Sequence, residues 1–123
     1  MPRALLISVV DDDASIRESL PDLVREFGFA VEAFPSAEDF LASHHLGQTG
    51  CLILDISMPG MSGPALQQEL SDQGFDIPIV FITAHSDVTV RPHLLGQGAV
   101  ECLIKPFSDI SLLEALNKAL QVN

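Results

Sequence analysis

The sequence has no tryptophan and no tyrosine, only two cysteines, and only 6 lysines and arginines against 17 aspartates and glutamates. Each scarcity excludes something. With a formal net charge of −11 and so few cations, this domain is not expected to bind nucleic acid, and anionic membrane surfaces are disfavoured for the same reason. A divalent cation or a basic protein surface is the natural counterpart of such charge. The cysteines, Cys51 and Cys102, form no CxxC pair and both stand in apolar runs. They read as buried, reduced thiols of a cytoplasmic protein, not as a disulfide framework. No apolar run approaches the length of a membrane span. Leu5–Val10 is too short for a signal-peptide core and is followed at once by acidic residues, so no signal peptide is expected. There is no GxxxxGK loop, so nucleotide binding is not indicated. Repeats, low-complexity tracts and internal linkers are absent as well.

What the chain does have is 47% hydrophobic residues in 123, enough for one domain over residues 1–123 with a substantial core. Its centre is CLILDISMPGMSG, Cys51–Gly63. A short apolar run delivers one carboxylate, Asp55, and then Met58, Pro59, Gly60, Ser62 and Gly63 bring turn chemistry. Taken alone, Asp55 is as readily a solvated loop aspartate as a functional one. The decision rests on what else arrives beside it.

Ala4–Val10 has strand composition and ends at Asp11-Asp12-Asp13. Ile16, Leu20, Leu23, Val24 and Phe27 then mark an amphipathic helix, capped by Asp13 or Ser15 and stopped by Gly28. Pro21 predicts a kink or a late start, because an interior helical proline costs ~3 kcal/mol. Phe29–Phe34 alternates around Glu32 as an edge strand does, and Ser36 with Asp39 resembles the capping box of a short helix. After Asp55, Pro64 opens a third helix holding Leu66 and Leu70. Ile77–Ile82 is a buried strand ending at Thr83, and Ser86–Gln97 is a helix weakened by Thr89, Pro92 and Gly96. Ala99–Ile104 is a strand interrupted by Glu101 and ends at Lys105-Pro106. Ser108 caps a last helix with Leu112, Leu113, Leu116 and Leu120 on one face.

Five βα units predict an α/β fold: a five-stranded parallel sheet with helices on both faces. The apolar first, third and fourth strands belong inside it, and the glutamate-bearing second and fifth at its edges. Strand order 2-1-3-4-5 satisfies both conditions and places a topological switch point between the first and third strands. Asp11, Asp12, Asp55, Thr83 and Lys105 then end four strands on one rim. Three carboxylates so close repel one another unless a cation joins them. Oxygen donors with no nearby histidine or cysteine favour Mg²⁺ over zinc. Metal, lysine and a threonine hydroxyl around a carboxylate nucleophile suit a transferred phosphoryl group.

VVDDD, LDISMPGMSG, FITAH and KPF, in that order, resemble the receiver domain of two-component response regulators from about Ile7 to Phe107. The likeness is strongest to the subgroup of nitrogen-fixation regulators with LuxR-type outputs. It implies a flavodoxin-like receiver fold with Asp55 as phosphoacceptor from a sensor histidine kinase. It further implies Mg²⁺ on Asp12, Asp55 and the backbone carbonyl of Ser57, with Asp11 acting through a metal-bound water. Thr83 and Lys105 would contact the phosphoryl group, and Lys105-Pro106 would be cis. The implied output face comprises the fourth helix, fifth strand and fifth helix, a possible homodimer surface. The only enzymatic steps implied are self-catalysed phosphotransfer and autodephosphorylation. The last helix stops where a linker to a DNA-binding transcription-regulating domain would begin.

The departures cluster on that output face. Cys102 stands where the family usually has Phe or Tyr, and VRPHLLGQGA replaces a stronger helix. A phosphorylation-independent interaction module with a retained acidic pocket is therefore a second reading. A Mg²⁺-dependent phosphohydrolase ranks third, because Ser57 stands where a second carboxylate would serve as general acid. Among lesser candidates, His85 borders the pocket but reads first as a loop residue. His44 and His45, if helical, would point apart, and Met58 with Met61 reads as loop packing.

Overall fold

The computed structural model describes residues 6–83 and 91–120. Five strands, β1 (Leu6–Val10), β2 (Ala30–Phe34), β3 (Thr49–Asp55), β4 (Ile79–Thr83) and β5 (Glu101–Ile104), form one parallel sheet in the order β2-β1-β3-β4-β5. The order matches the expectation from composition: apolar strands inside, glutamate-bearing strands at the edges. Among the described residues, α1 (Ala14–Glu26), α2 (Ala37–Leu41), α3 (Gly63–Asp72) and α4 (Arg91–Gly96) lie between successive strands, with a 3₁₀ turn at Leu46–Gln48 ahead of β3, and α5 (Asp109–Leu120) follows β5.

The sheet separates two cores. Alternation along β3 sends Leu52 and Leu54 into one, with Phe40, Leu66, Phe81 and Leu94, and Cys51 and Ile53 into the other, with Leu20, Val24, Leu112 and Leu116. Burial on both faces is why β3 and β4 read as continuous apolar runs.

Most helix signals acted locally as expected. Asp13 caps α1 by accepting from the Ser15 N–H and Ser36 caps α2 by accepting from that of Asp39, while Ser62, read from the sequence only as a turn residue, caps α3 by accepting from that of Ala65. Ser108 accepts from the Ser111 N–H at the start of α5, where Leu112 and Leu116 are fully buried. Gly28 ends α1 with φ 100°.

Three expectations need correction. Helix α1 does not start late: it begins at Ala14 and carries Pro21 within its length. Pro21 is itself buried between Leu20 and Val24, so packing offsets the missing hydrogen bond. The last strand is shorter than expected because the Ala99 N–H is used by the Leu94 carbonyl closing α4, and Glu101 opens the strand instead of interrupting it. His44 and His45 lie in a turn, not a helix, and their rings stack with centroids 4.1 Å apart. Ala4, Leu5, His85 and the expected helix start at Ser86–Thr89 fall outside the described residues.

Candidate functional site

Register builds the site. Val10 on β1 pairs with Leu54 on β3, so Asp11 lies beside Asp55. Asp55 pairs with Ile82 on β4, and Thr83, one residue on, pairs with Ile104 on β5, which puts Lys105 next in line. Parallel strands all end on the same edge, so residues far apart in sequence meet there. The carboxylate oxygens of Asp11, Asp12 and Asp55 lie within 4.8 Å of one another.

Burial differs across the trio. Asp11 is fully buried, Asp55 is 6% exposed, Thr83 is fully buried and Asp12 is exposed. Asp11 is held by what surrounds it: its Oδ1 accepts from the Asp13 N–H at 2.9 Å, and Lys105 Nζ donates to its Oδ2 at 3.1 Å. The same Nζ lies 3.8 Å from Asp55 Oδ1. The Lys105 N–H donates to the Thr83 carbonyl at 2.8 Å, and the following Lys105-Pro106 bond is cis, as the resemblance implied.

These surroundings move the Asp55 pKa from the ordinary 3.8 to about 7. Burial is the main cause and the Asp11 charge adds to it; Lys105 opposes both, Asp12 raises the value further, and a backbone hydrogen bond from Ser57 lowers it. A cation placed among the three carboxylates would relieve that repulsion. Oxygen-only donors at this spacing, one buried, one nearly so and one open to water, fit Mg²⁺, which keeps part of its hydration. Ser57 stands two residues past Asp55, the last residue of β3, and is exposed.

Every rim residue named from the sequence is therefore in place. Two polar residues were not foreseen. Arg17 Nη1 donates to the Asp11 carbonyl at 3.1 Å, and Glu38 Oε2 accepts from the Met61 N–H at 3.1 Å. Neither stands in a motif that periodicity or spacing reveals, because each acts across a helix–loop contact. Beside Lys105 an apolar cleft of about 630 Å³ opens, lined by Ile16, Leu20 and Leu23 of α1 with Pro106 and Phe107. On the other side, Cys102 is 4% exposed within the core next to Glu101, whose carboxylate pairs with Arg91 of α4.

The chain matches the response regulator receiver domain family over residues 7–117. It belongs to that family. The curated response regulator protein TodT of Pseudomonas putida is 42% identical over 120 residues, covering 98% of this chain and 53% of TodT. Nodulation protein W of Bradyrhizobium diazoefficiens is 44% identical over 111 residues, covering 90% of this chain and 49% of that protein. Among solved structures, the response regulator StyR superposes with a TM-score of 0.89 at 47% identity, over 98% of this chain and 61% of that one. The structure of FixJ-N gives 0.87 at 36%, over 99% of both. FixJ-like transcriptional regulators are thus among the relatives, as the motifs implied. This receiver domain spans about half the length of the curated relatives it matches. No helix among its described residues is long and apolar enough to cross a membrane.

Proposed function

We propose that this receiver domain is a phosphorylation-controlled switch in which Asp55 accepts a phosphoryl group from a sensor histidine kinase. The observation that carries the reading is the convergence of one lysine and two further carboxylates, Asp11 and Asp12, around a nearly buried Asp55. An Asp55 carboxylate oxygen attacks phosphorus, the P–N bond of the phosphohistidine breaks, and the departing imidazole nitrogen keeps the electron pair and takes up a proton. Asp12, Asp55 and the Ser57 carbonyl would hold Mg²⁺, with Asp11 acting through a metal-bound water. When bound, the metal neutralises charge developing on the phosphoryl oxygens. Lys105 supplies a second positive charge to those oxygens, and Thr83 a hydroxyl donor. The same constellation hydrolyses the aspartyl-phosphate slowly, and no further catalytic activity is proposed.

The apolar cleft beside Lys105 gives a kinase a surface on which to dock while its phosphohistidine reaches Asp55. Output passes through α4, β5 and α5, a face suited to a homodimer or to a DNA-binding output domain in the remainder of a longer transcription regulator. The site of action is the cytoplasm, and nucleic acid is not bound by this domain itself. The buried Cys102 keeps a second reading in view, a phosphorylation-independent interaction module, because no large side chain there can swing with Thr83.

Heteronuclear NMR with Mg²⁺ and beryllofluoride tests the proposal. Shifts spreading from Asp55 to Cys102 and α4, absent in Asp55→Ala, support the switch. Shifts confined to the pocket favour the interaction module, and no response at all overturns the phosphoacceptor reading.

A further inference from the structure

The loop joining β3 to α3 carries Ser57 past the acidic rim, and three of the contacts that fasten it lie at its base, its middle and its tip. At its base the Gly63 N–H donates to the Ile56 carbonyl at 2.9 Å. In its middle Met58, 8% exposed, is sunk in the core. At its tip the Met61 N–H donates to Glu38 Oε2, the only one of the three ties that comes from a charged side chain on another element. Glu38 also lies close against Gly60, where φ is +75° and a Cβ would stand 2.9 Å from the same oxygen. The carboxylate therefore covers two successive backbone units of the tip, and a glycine makes that approach possible.

Glu38 is well placed to hold the tip because its own backbone cannot drift. Ala37 and Phe40, on either side of it in α2, are both fully buried, and Ser36 caps the helix. Phe40 is further held edge-on to Phe34 at a centroid distance of 5.4 Å. An ionised acceptor makes the Met61 hydrogen bond stronger than a neutral one. No charge pairing explains the Glu38 carboxylate otherwise: among the described residues it is paired with no cation, and it accepts from this loop amide.

We propose that Glu38 is a positioning residue for the Ser57 loop, and that it thereby sets how tightly the acidic rim binds a divalent cation. The proposal rests on the metal-binding reading given above. Mg²⁺ demands near-ideal octahedral geometry, so a carbonyl ligand on a loop free to pivot about its base binds less well than one held at both ends. Residues that orient ligands in this way contribute measurably to affinity without touching the metal.

The experiment compares wild type, Glu38→Ala and Glu38→Gln in Mg²⁺ titrations at pH 8, with amide hydrogen exchange on the same samples. Glu38→Ala is expected to weaken Mg²⁺ binding roughly three- to tenfold and to speed exchange at Met61. Glu38→Gln keeps an acceptor oxygen and is expected to recover most of the affinity. Unchanged Mg²⁺ affinity in Glu38→Ala overturns the proposal, as does a Glu38→Gln protein as impaired as Glu38→Ala, or exchange that rises across β3 and α3 alike. If wild type itself binds no Mg²⁺, the metal-binding reading fails together with this one; wild-type binding with an indifferent Glu38→Ala sinks this one alone.

Discussion

Lys105 Nζ stands 3.1 Å from Asp11 Oδ2 and 3.8 Å from Asp55 Oδ1, so one cation from the edge of the sheet serves two carboxylates near its centre. Its reach is what lets the site hold acidic side chains out of water. Removing it leaves a fully buried Asp11 without its counter-ion. Lys105→Met is expected to lower metal-free stability at pH 8 by about 1–3 kcal/mol, measured by urea unfolding. The deficit should shrink towards pH 6, where Asp55 can neutralise itself by taking a proton. A deficit independent of pH would show that the lysine acts through packing of its stem alone.

Asp55 itself burdens the metal-free fold. Its pKa is raised from 3.8 to about 7, chiefly by burial and then by Asp11, so its folded-state value exceeds its unfolded one. A group so shifted contributes stability that is fully present below about pH 4 and lost as pH rises through about 7. Asp55→Asn should therefore be more stable than wild type at pH 8 without metal, by about 1–2 kcal/mol, with the gap closing by pH 4. Thermal unfolding at the two pH values decides it.

Mg²⁺ bound at Asp55 as proposed would compete with that same proton. Its affinity should be nearly flat above pH 8 and should fall by up to about tenfold per pH unit below pH 7. Calorimetric titrations from pH 5.5 to 8.5 measure this directly. A profile flat down to pH 5.5 would place the metal away from Asp55.

Gly63 sits where the chain turns back under Asp55. A Cβ there would clash with the Asp55 carbonyl oxygen and stand 3.0 Å from the Ile56 Cα, both backbone atoms that cannot step aside. Gly63→Ala is expected to destabilise the domain by about 2–4 kcal/mol and to disturb the Asp55 backbone. Denaturant unfolding gives the first quantity and amide shifts of Asp55 and Ile56 the second. A near-neutral effect would mean that the start of α3 can move as a unit.

Much of this was legible from residues alone. The strand order followed from where glutamates interrupt apolar runs, since a strand buried on both faces tolerates no charge and an edge strand does. The caps at Asp13, Ser36 and Ser108 followed from local hydrogen-bond chemistry. Pro21 misled because propensity weighs a lost hydrogen bond and does not see the core that buries the ring. The stacked His44 and His45 misled because the chain there leaves the helix that the spacing argument assumed.

The sequence by itself determined the acidic rim: which carboxylates end which strands is a matter of pattern, and parallel strands bring all their ends to one edge. Only the tertiary structure decided how that rim is held. Lys105 reaching across β4 and Glu38 on the Met61 amide join elements far apart in the chain, and Arg17 on the Asp11 carbonyl ties α1 back to the end of β1. Such contacts depend on where helices settle against the sheet, and that is set by the packing of two whole cores, not by the residues that make the contacts.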